Sequence, residues 1–249
     1  MSWKQLAGLI LYAAELMLVS GAEIHRVEET ADRMGRAAGF ARIETFATPT
    51  GIFMTLVCPD GDVYTRVRRI RRSQSDLARI AAINDLSRQL AQGQVGFAEA
   101  AQALDKIENT PTHAWWQFGL AGGGGSAAFA YLLGGTLLTC ALAAVSGCLV
   151  VLLTSSIDKS VAPTFLISAF GAALAAVLGI IASLLLPISR DTLILAGVMV
   201  LVPGITITTA LRDMLTGELV SGVARGAEAM TIAVAVAVGV AFVLGIGGV

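Results

Sequence analysis

Pro203 and Gly204 interrupt the apolar run Gly197-Val198-Met199-Val200-Leu201-Val202, and Ile205-Thr206-Ile207-Thr208-Thr209-Ala210 follows them. Proline lacks a backbone donor and glycine loosens a helix, so the pair frees main-chain polar groups in an apolar setting. Broken helices of this kind supply solute sites inside membranes, with a half-helix N-terminus facing an anionic group. The hydroxyls of Thr206, Thr208 and Thr209 stand just beyond the break and suit a zwitterion or a carboxylate. The same residues equally describe a proline kink whose threonines bond back to their own helix. Residue type alone leaves both open.

Charged residues crowd the next stretch. Arg212 and Asp213 are adjacent, and Arg225 and Glu228 stand three apart on the following helix. Such pairs could gate the entry of a solute or bind its carboxylate. They could also be snorkelling interface charges and an intrahelical ion pair. Asp191, just before Thr192, is either a helix N-cap or a proton-coupling group.

Towards the other end of the chain, His25 lies among Glu23, Glu28 and Glu29, an acid–base cluster or simply a solvated helix face. No GxSxG or other nucleophile motif accompanies it, so no catalytic residue is expected. No CxxC, HExxH or His-rich stretch exists, so neither a metal nor another cofactor is expected. Cys140 and Cys148, about 12 Å apart along one helix, cannot form a disulfide.

Composition divides the chain. Of 17 Lys and Arg residues, 13 precede Gly119, as do 13 of the 18 Asp and Glu residues. The whole is 55% hydrophobic, 14% charged and of mean hydropathy +0.76, far less charged than the quarter or so of a soluble domain. Near-neutral net charge gives no basic surface for nucleic acid. The first part suits water and the second suits lipid.

These groups must be positioned by two kinds of element. Leu6, Ile10, Ala13 and Met17 recur at helical spacing, which makes residues 2–19 an amphipathic helix of the folded domain rather than a cleaved leader. Ser20 with Glu23 spells a capping box, so a second helix should begin there, bury Ile24, Val27, Ala31, Met34 and Ala38, and stop at Gly39. Residues 43–46, 52–58 and 62–70 are β-rich around turns at Thr48-Pro49-Thr50-Gly51 and Pro59-Asp60-Gly61. Ser73 or Ser75 can cap a helix through residues 76–91, and a last one covers 97–108. A domain of residues 1–112 results.

Beyond it, spans are expected near 113–133, 136–156, 161–186, 193–211 and 227–247. Trp115, Trp116 and Tyr131 would form an aromatic belt, and Gly122–Gly125 permits close helix contact. The predicted fold is an α+β cytoplasmic domain followed by an α-helical transmembrane bundle of about five spans over 113–249. Arg66, Arg68, Arg69, Arg71, Arg72, Arg79 and Arg88 ahead of the first span favour a cytoplasmic N-terminal domain. Lys159, Arg212 and Arg225 then fall inside, Arg190 outside, and an odd span count leaves the C-terminus outside.

Several separated stretches carry a resemblance. Leu18-Val19-Ser20-Gly21-Ala22-Glu23-Ile24-His25-Arg26-Val27-Glu28-Glu29-Thr30 and Thr48-Pro49-Thr50-Gly51-Ile52 resemble the N-terminal signature of the threonine/serine exporter family. Leu201-Val202-Pro203-Gly204, Arg212-Asp213, Gly217-Glu218-Leu219-Val220-Ser221-Gly222-Val223-Ala224-Arg225 and Glu228-Ala229 resemble its late membrane signature. The resemblance marks Ser20, Gly21, Glu23, His25, Arg26 and Glu28 as N-terminal motif residues. It implies the larger subunit of a two-subunit exporter in the bacterial inner membrane. A smaller membrane subunit is the implied partner, with self-association open and a small polar solute such as threonine, serine or succinate as cargo. The rival readings are a membrane-tethered peptide hydrolase and a non-transporting assembly subunit.

Overall fold

The computed structural model of the chain describes residues 1–71, 73–110, 114–157 and 162–246. Helix α1 (Trp3–Val19) starts at a capping box, in which Ser2 accepts the Gln5 N–H and the Gln5 side chain accepts the Ser2 N–H. Ala7, Ile10, Ala13, Ala14 and Met17 are fully buried, so α1 is enclosed on more of its circumference than an amphipathic stripe. Its end is a tight turn in which Gly21 takes φ +79°. Only glycine adopts that conformation without strain.

Helix α2 (Ile24–Ala37) buries Ile24, Val27, Ala31 and Met34 as its spacing predicts, and ends at Gly39 with φ +87°. The expected capping box is absent. Ser20 caps the C-terminus of α1, its N–H donating to the Leu16 carbonyl and that of Gly21 to Leu18, and the N-cap of α2 is Glu23 without a side-chain cap bond. Because α2 begins only at Ile24, Glu23 stands at its N-cap rather than three residues inside the helix, where a capping box needs it.

Strands β1 (Arg42–Thr48), β2 (Gly51–Val57) and β3 (Val63–Arg69) form one antiparallel sheet in sequence order. Ala47 faces Ile52 and Phe46 faces Phe53, a register that buries Ala47, Ile52, Met54 and Leu56 beneath the sheet. Helix α3 (Leu77–Ala91) is capped by Asp76, which accepts the Arg79 N–H, rather than by Ser73 or Ser75. Helix α4 (Phe97–Asn109) completes this part. The core joins α1 and α2 to the sheet and to α3 and α4.

Among the described residues six helices follow: α5 (Trp115–Leu132), α6 (Leu137–Ser156), α7 (Thr164–Leu185), α8 (Arg190–Val198), α9 (Gly204–Leu215) and α10 (Leu219–Ile246). Glycines set their spacing. A Cβ on Gly123 of α5 would lie 2.8 Å from the Ala144 carbonyl of α6, so these backbones touch. A 3-10 turn, Met199–Leu201, ends α8.

The chain forms two compact units, Met1–Pro111 with Ile205–Gly226, and Thr112–Gly204 with Ala227–Val249. The predicted boundary at 112/113 and the predicted span ends at 113, 161 and 247 fall outside the described residues, as does Lys159.

The expectation of an α+β domain followed by about five spans is corrected. The chain is predominantly helical with a small sheet near its N-terminus, and among the described residues only α6, α7 and α10 are long and apolar enough to cross a membrane. The count rises to four if α8, its 3-10 turn and α9 make one interrupted span. Helix α5 falls short because Gly122–Gly125, Gln117 and Ser126 dilute the apolarity of its 18 residues. The span expected over 193–211 is two helices, and the last begins at Leu219, eight residues before the expected start.

Candidate functional site

The late charged stretch assembles on the turn between α1 and α2. Helix α9 ends at Leu215, and Gly217, at φ +95°, reverses the chain into α10. Gly222 then lets the two helices close. A Cβ there would lie 2.8 Å from the Ala210 carbonyl. This hairpin sets Asp213 and Arg225 side by side, Oδ2 to Nε at 3.2 Å, with the Asp213 side chain fully buried and that of Arg225 only 11% exposed.

Both residues also bind backbone across a large sequence gap. Asp213 Oδ1 accepts the Ile24 N–H at 3.1 Å, so a carboxylate from α9 caps the N-terminus of α2. The orphan donors and the positive dipole end of a helix both favour an anion there. Arg225 donates to the carbonyls of Gly21 at 3.4 Å and Ala22 at 2.6 Å. The left-handed Gly21 is what turns those carbonyls out of the α1 ladder.

A second, outer pair lies beside the first. Arg212 Nη1 meets Glu23 Oε1 at 2.5 Å, and the other Glu23 oxygen takes Arg26 Nε at 3.3 Å. Thus Gly21, Ala22, Glu23 and Ile24 of the early motif meet Arg212, Asp213 and Arg225 of the late one, and Arg26 joins them only through Glu23. Sequence reasoning paired Arg225 with Glu228. The structure turns Arg225 to Asp213 and leaves Glu228 exposed on α10.

The remaining predicted residues separate. After Leu201, Val202 is extended, and the Gly204 N–H donates to the Val202 carbonyl at 2.8 Å across Pro203. Thr208 donates to the Ile205 carbonyl at 2.9 Å, the back-bonding of a kinked helix. Thr209 is buried and Thr206 half-buried. Asp191 is an exposed partner of Arg190 at 3.3 Å, and Ser189, accepting the Thr192 N–H, is the N-cap of α8.

His25 is exposed, and the carboxylates around it have structural duties. Glu28 accepts the Ala47 N–H at 2.8 Å, tying α2 to β1, and Glu29 pairs with Arg33. Burial pushes the Glu28 carboxyl above the usual range, against the pull of the Ala47 N–H. Among the described residues no three metal-ligating side chains converge. An apolar groove of about 300 Å³ between α5 and α6 offers Gly119, Leu120, Val145 and Leu149, with the Cys148 thiol alone for polarity.

Apolar helices of bilayer length following a small helix-and-sheet unit define a multi-pass membrane protein. The chain belongs to the ThrE threonine/serine exporter family, whose model matches residues 8–247. It is similar to a "Probable threonine/serine exporter" of Mycobacterium tuberculosis, 28% identical over 239 residues, covering 95% of this chain and 45% of that one. It is also similar to a "Threonine/serine exporter" of Corynebacterium glutamicum, 28% identical over 170 residues, covering 65% of this chain and 34% of that one. The chain thus spans less than half the length of the curated relatives it matches. No solved structure matches it.

Proposed function

We propose that this chain is one half of an exporter of small amino acids, threonine and serine, or of a related carboxylate such as succinate. A smaller membrane subunit completes it. The observation that carries this reading is the family match along residues 8–247.

The solute passes the interruption at Pro203–Gly204, with Thr206 and Thr209 beside it. Arg212, Asp213 and Arg225 form its inner mouth. Asp191 on α8 and Glu228 on α10, both exposed, are left for coupling. Export rather than hydrolysis fits the N-terminal unit, because each carboxylate near His25 has a structural partner.

The protein sits in the bacterial inner membrane with its arginine-rich N-terminal unit in the cytoplasm. The first turns of α10 belong to that same unit, through Gly222 and Arg225. Its remaining residues to Ile246 carry Glu228 as their one charge, and the 28-residue helix is about 42 Å long. The C-terminus therefore emerges on the outer side whatever the number of spans before it.

Inverted vesicles from cells expressing the chain with its companion test the proposal, with labelled threonine, serine and succinate as solutes. Uptake should appear with the chain and fall with Pro203→Leu. Transport unchanged by deleting the chain refutes it.

A further inference from the structure

The two ion pairs on the α1–α2 turn differ in a way that assigns them different work. The inner pair is enclosed and fixed by three backbone groups, the Ile24 N–H and the Gly21 and Ala22 carbonyls. In the outer pair the Arg212 side chain is 58% exposed and Glu23 has a second cation, Arg26, already in contact. If Arg212 leaves, Glu23 is not stranded. Arg212, for its part, is a planar fork suited to any carboxylate, and it stands on the helix that begins at the Pro203 break.

We infer that Glu23 is a built-in stand-in for the carboxylate of a small organic acid. The Arg212–Glu23 contact is an exchangeable latch that an amino acid or dicarboxylate opens by taking the Arg212 guanidinium, while Glu23 falls back on Arg26. The inner Asp213–Arg225 pair holds the hairpin to the turn throughout. No covalent step is involved, and the exchange swaps one carboxylate for another on the same cation. This inference rests on the exporter reading and adds the residue that recognises the solute and the residue that competes with it.

The test is equilibrium binding to membranes of cells expressing the full chain together with its companion subunit. Probes are labelled L-threonine and succinate, with L-threonine methyl ester as the control that keeps the amine and hydroxyl and lacks the carboxylate. Glu23→Gln should tighten binding of threonine and succinate about two- to fivefold, the release of one ion pair whose arginine is exposed. It should leave the ester unchanged. Arg212→Ala should weaken both acids, and Arg212→Lys should restore part of the loss, as a point charge without the fork. The Arg212 side chain is 58% exposed and that of Glu23 is 19% exposed, and thermal unfolding of each variant confirms that it is folded. Unchanged or weakened threonine binding in Glu23→Gln, or an equal gain for the ester, overturns the latch alone. A wild-type chain that binds neither acid overturns the latch and the exporter reading together.

Discussion

The Asp213 carboxylate accepts the backbone N–H of Ile24 at 3.1 Å, though 189 positions separate them. Through this bond and the neighbouring Arg225, the last third of the chain closes the first helix of the early motif. This contact combines a buried charge with a helix terminus.

Removing one partner of that pair should be severe. Asp213→Ala leaves Arg225 enclosed without its carboxylate and uncaps α2. Loss of one member of a buried pair costs about 3–5 kcal/mol. The double variant Asp213→Ala/Arg225→Ala should be destabilised by clearly less than the sum of the single changes. Thermal unfolding in detergent across the four proteins measures the coupling.

Arg212→Ala should behave in the opposite sense. Its side chain is 58% exposed and its ion pair with Glu23 is solvent-screened, so stability should fall by no more than about 1 kcal/mol. Vesicle uptake should fall severalfold all the same. A parallel fall of unfolding temperature and uptake would make Arg212 structural only.

How far these contacts were legible in the sequence depends on their range. Local signals held: Gly39 ends α2, the turns at Pro49 and Gly61 divide the strands, and the stripe Ile24, Val27, Ala31 and Met34 is buried. Ser20–Glu23 spells a capping box, yet α2 begins at Ile24 with Glu23 at its N-cap, and a distant aspartate caps it instead. No pattern within a short window of sequence can announce such a cap. Arg225 was matched to Glu228 because they lie one turn apart, whereas burial of Asp213 makes the longer-range partner the one that must be neutralised. The span count failed where composition alternates, at the glycine run of α5 and at the proline break.

Two adjacent glycines of that run should respond oppositely to alanine. Gly123→Ala drives a methyl against the Ala144 carbonyl and should cost about 1–3 kcal/mol by prising α5 from α6. Gly124→Ala meets nothing within 4 Å and removes a flexible residue from a helix interior. It should be neutral or stabilising by up to about 1 kcal/mol. Paired thermal melts in the same detergent decide it.

Glu28 gives a pH dependence. Its folded-state carboxyl titrates above the ordinary range, so the fold favours the protonated form. That contribution is complete below the usual carboxylate value of about 4.3 and is lost as pH rises through the higher folded value. Glu28→Gln keeps an acceptor for the Ala47 N–H and cannot ionise. Its melting temperature should fall less than that of the wild type as pH is raised from about 4 towards neutrality. Identical slopes for the two proteins would contradict this assignment.

The cap contributed by Asp213 also orders events during synthesis. A ribosome adding roughly 5–20 residues per second takes about 10–40 s to travel from Ile24 to Asp213. For that interval the opening turn of α2 has no carboxylate over it, and Glu23 lacks one of its two arginines. The nascent N-terminal unit is therefore unfinished until the final hairpin emerges, and a chain stalled short of Asp213 leaves a recognisably open helix end for quality control to find.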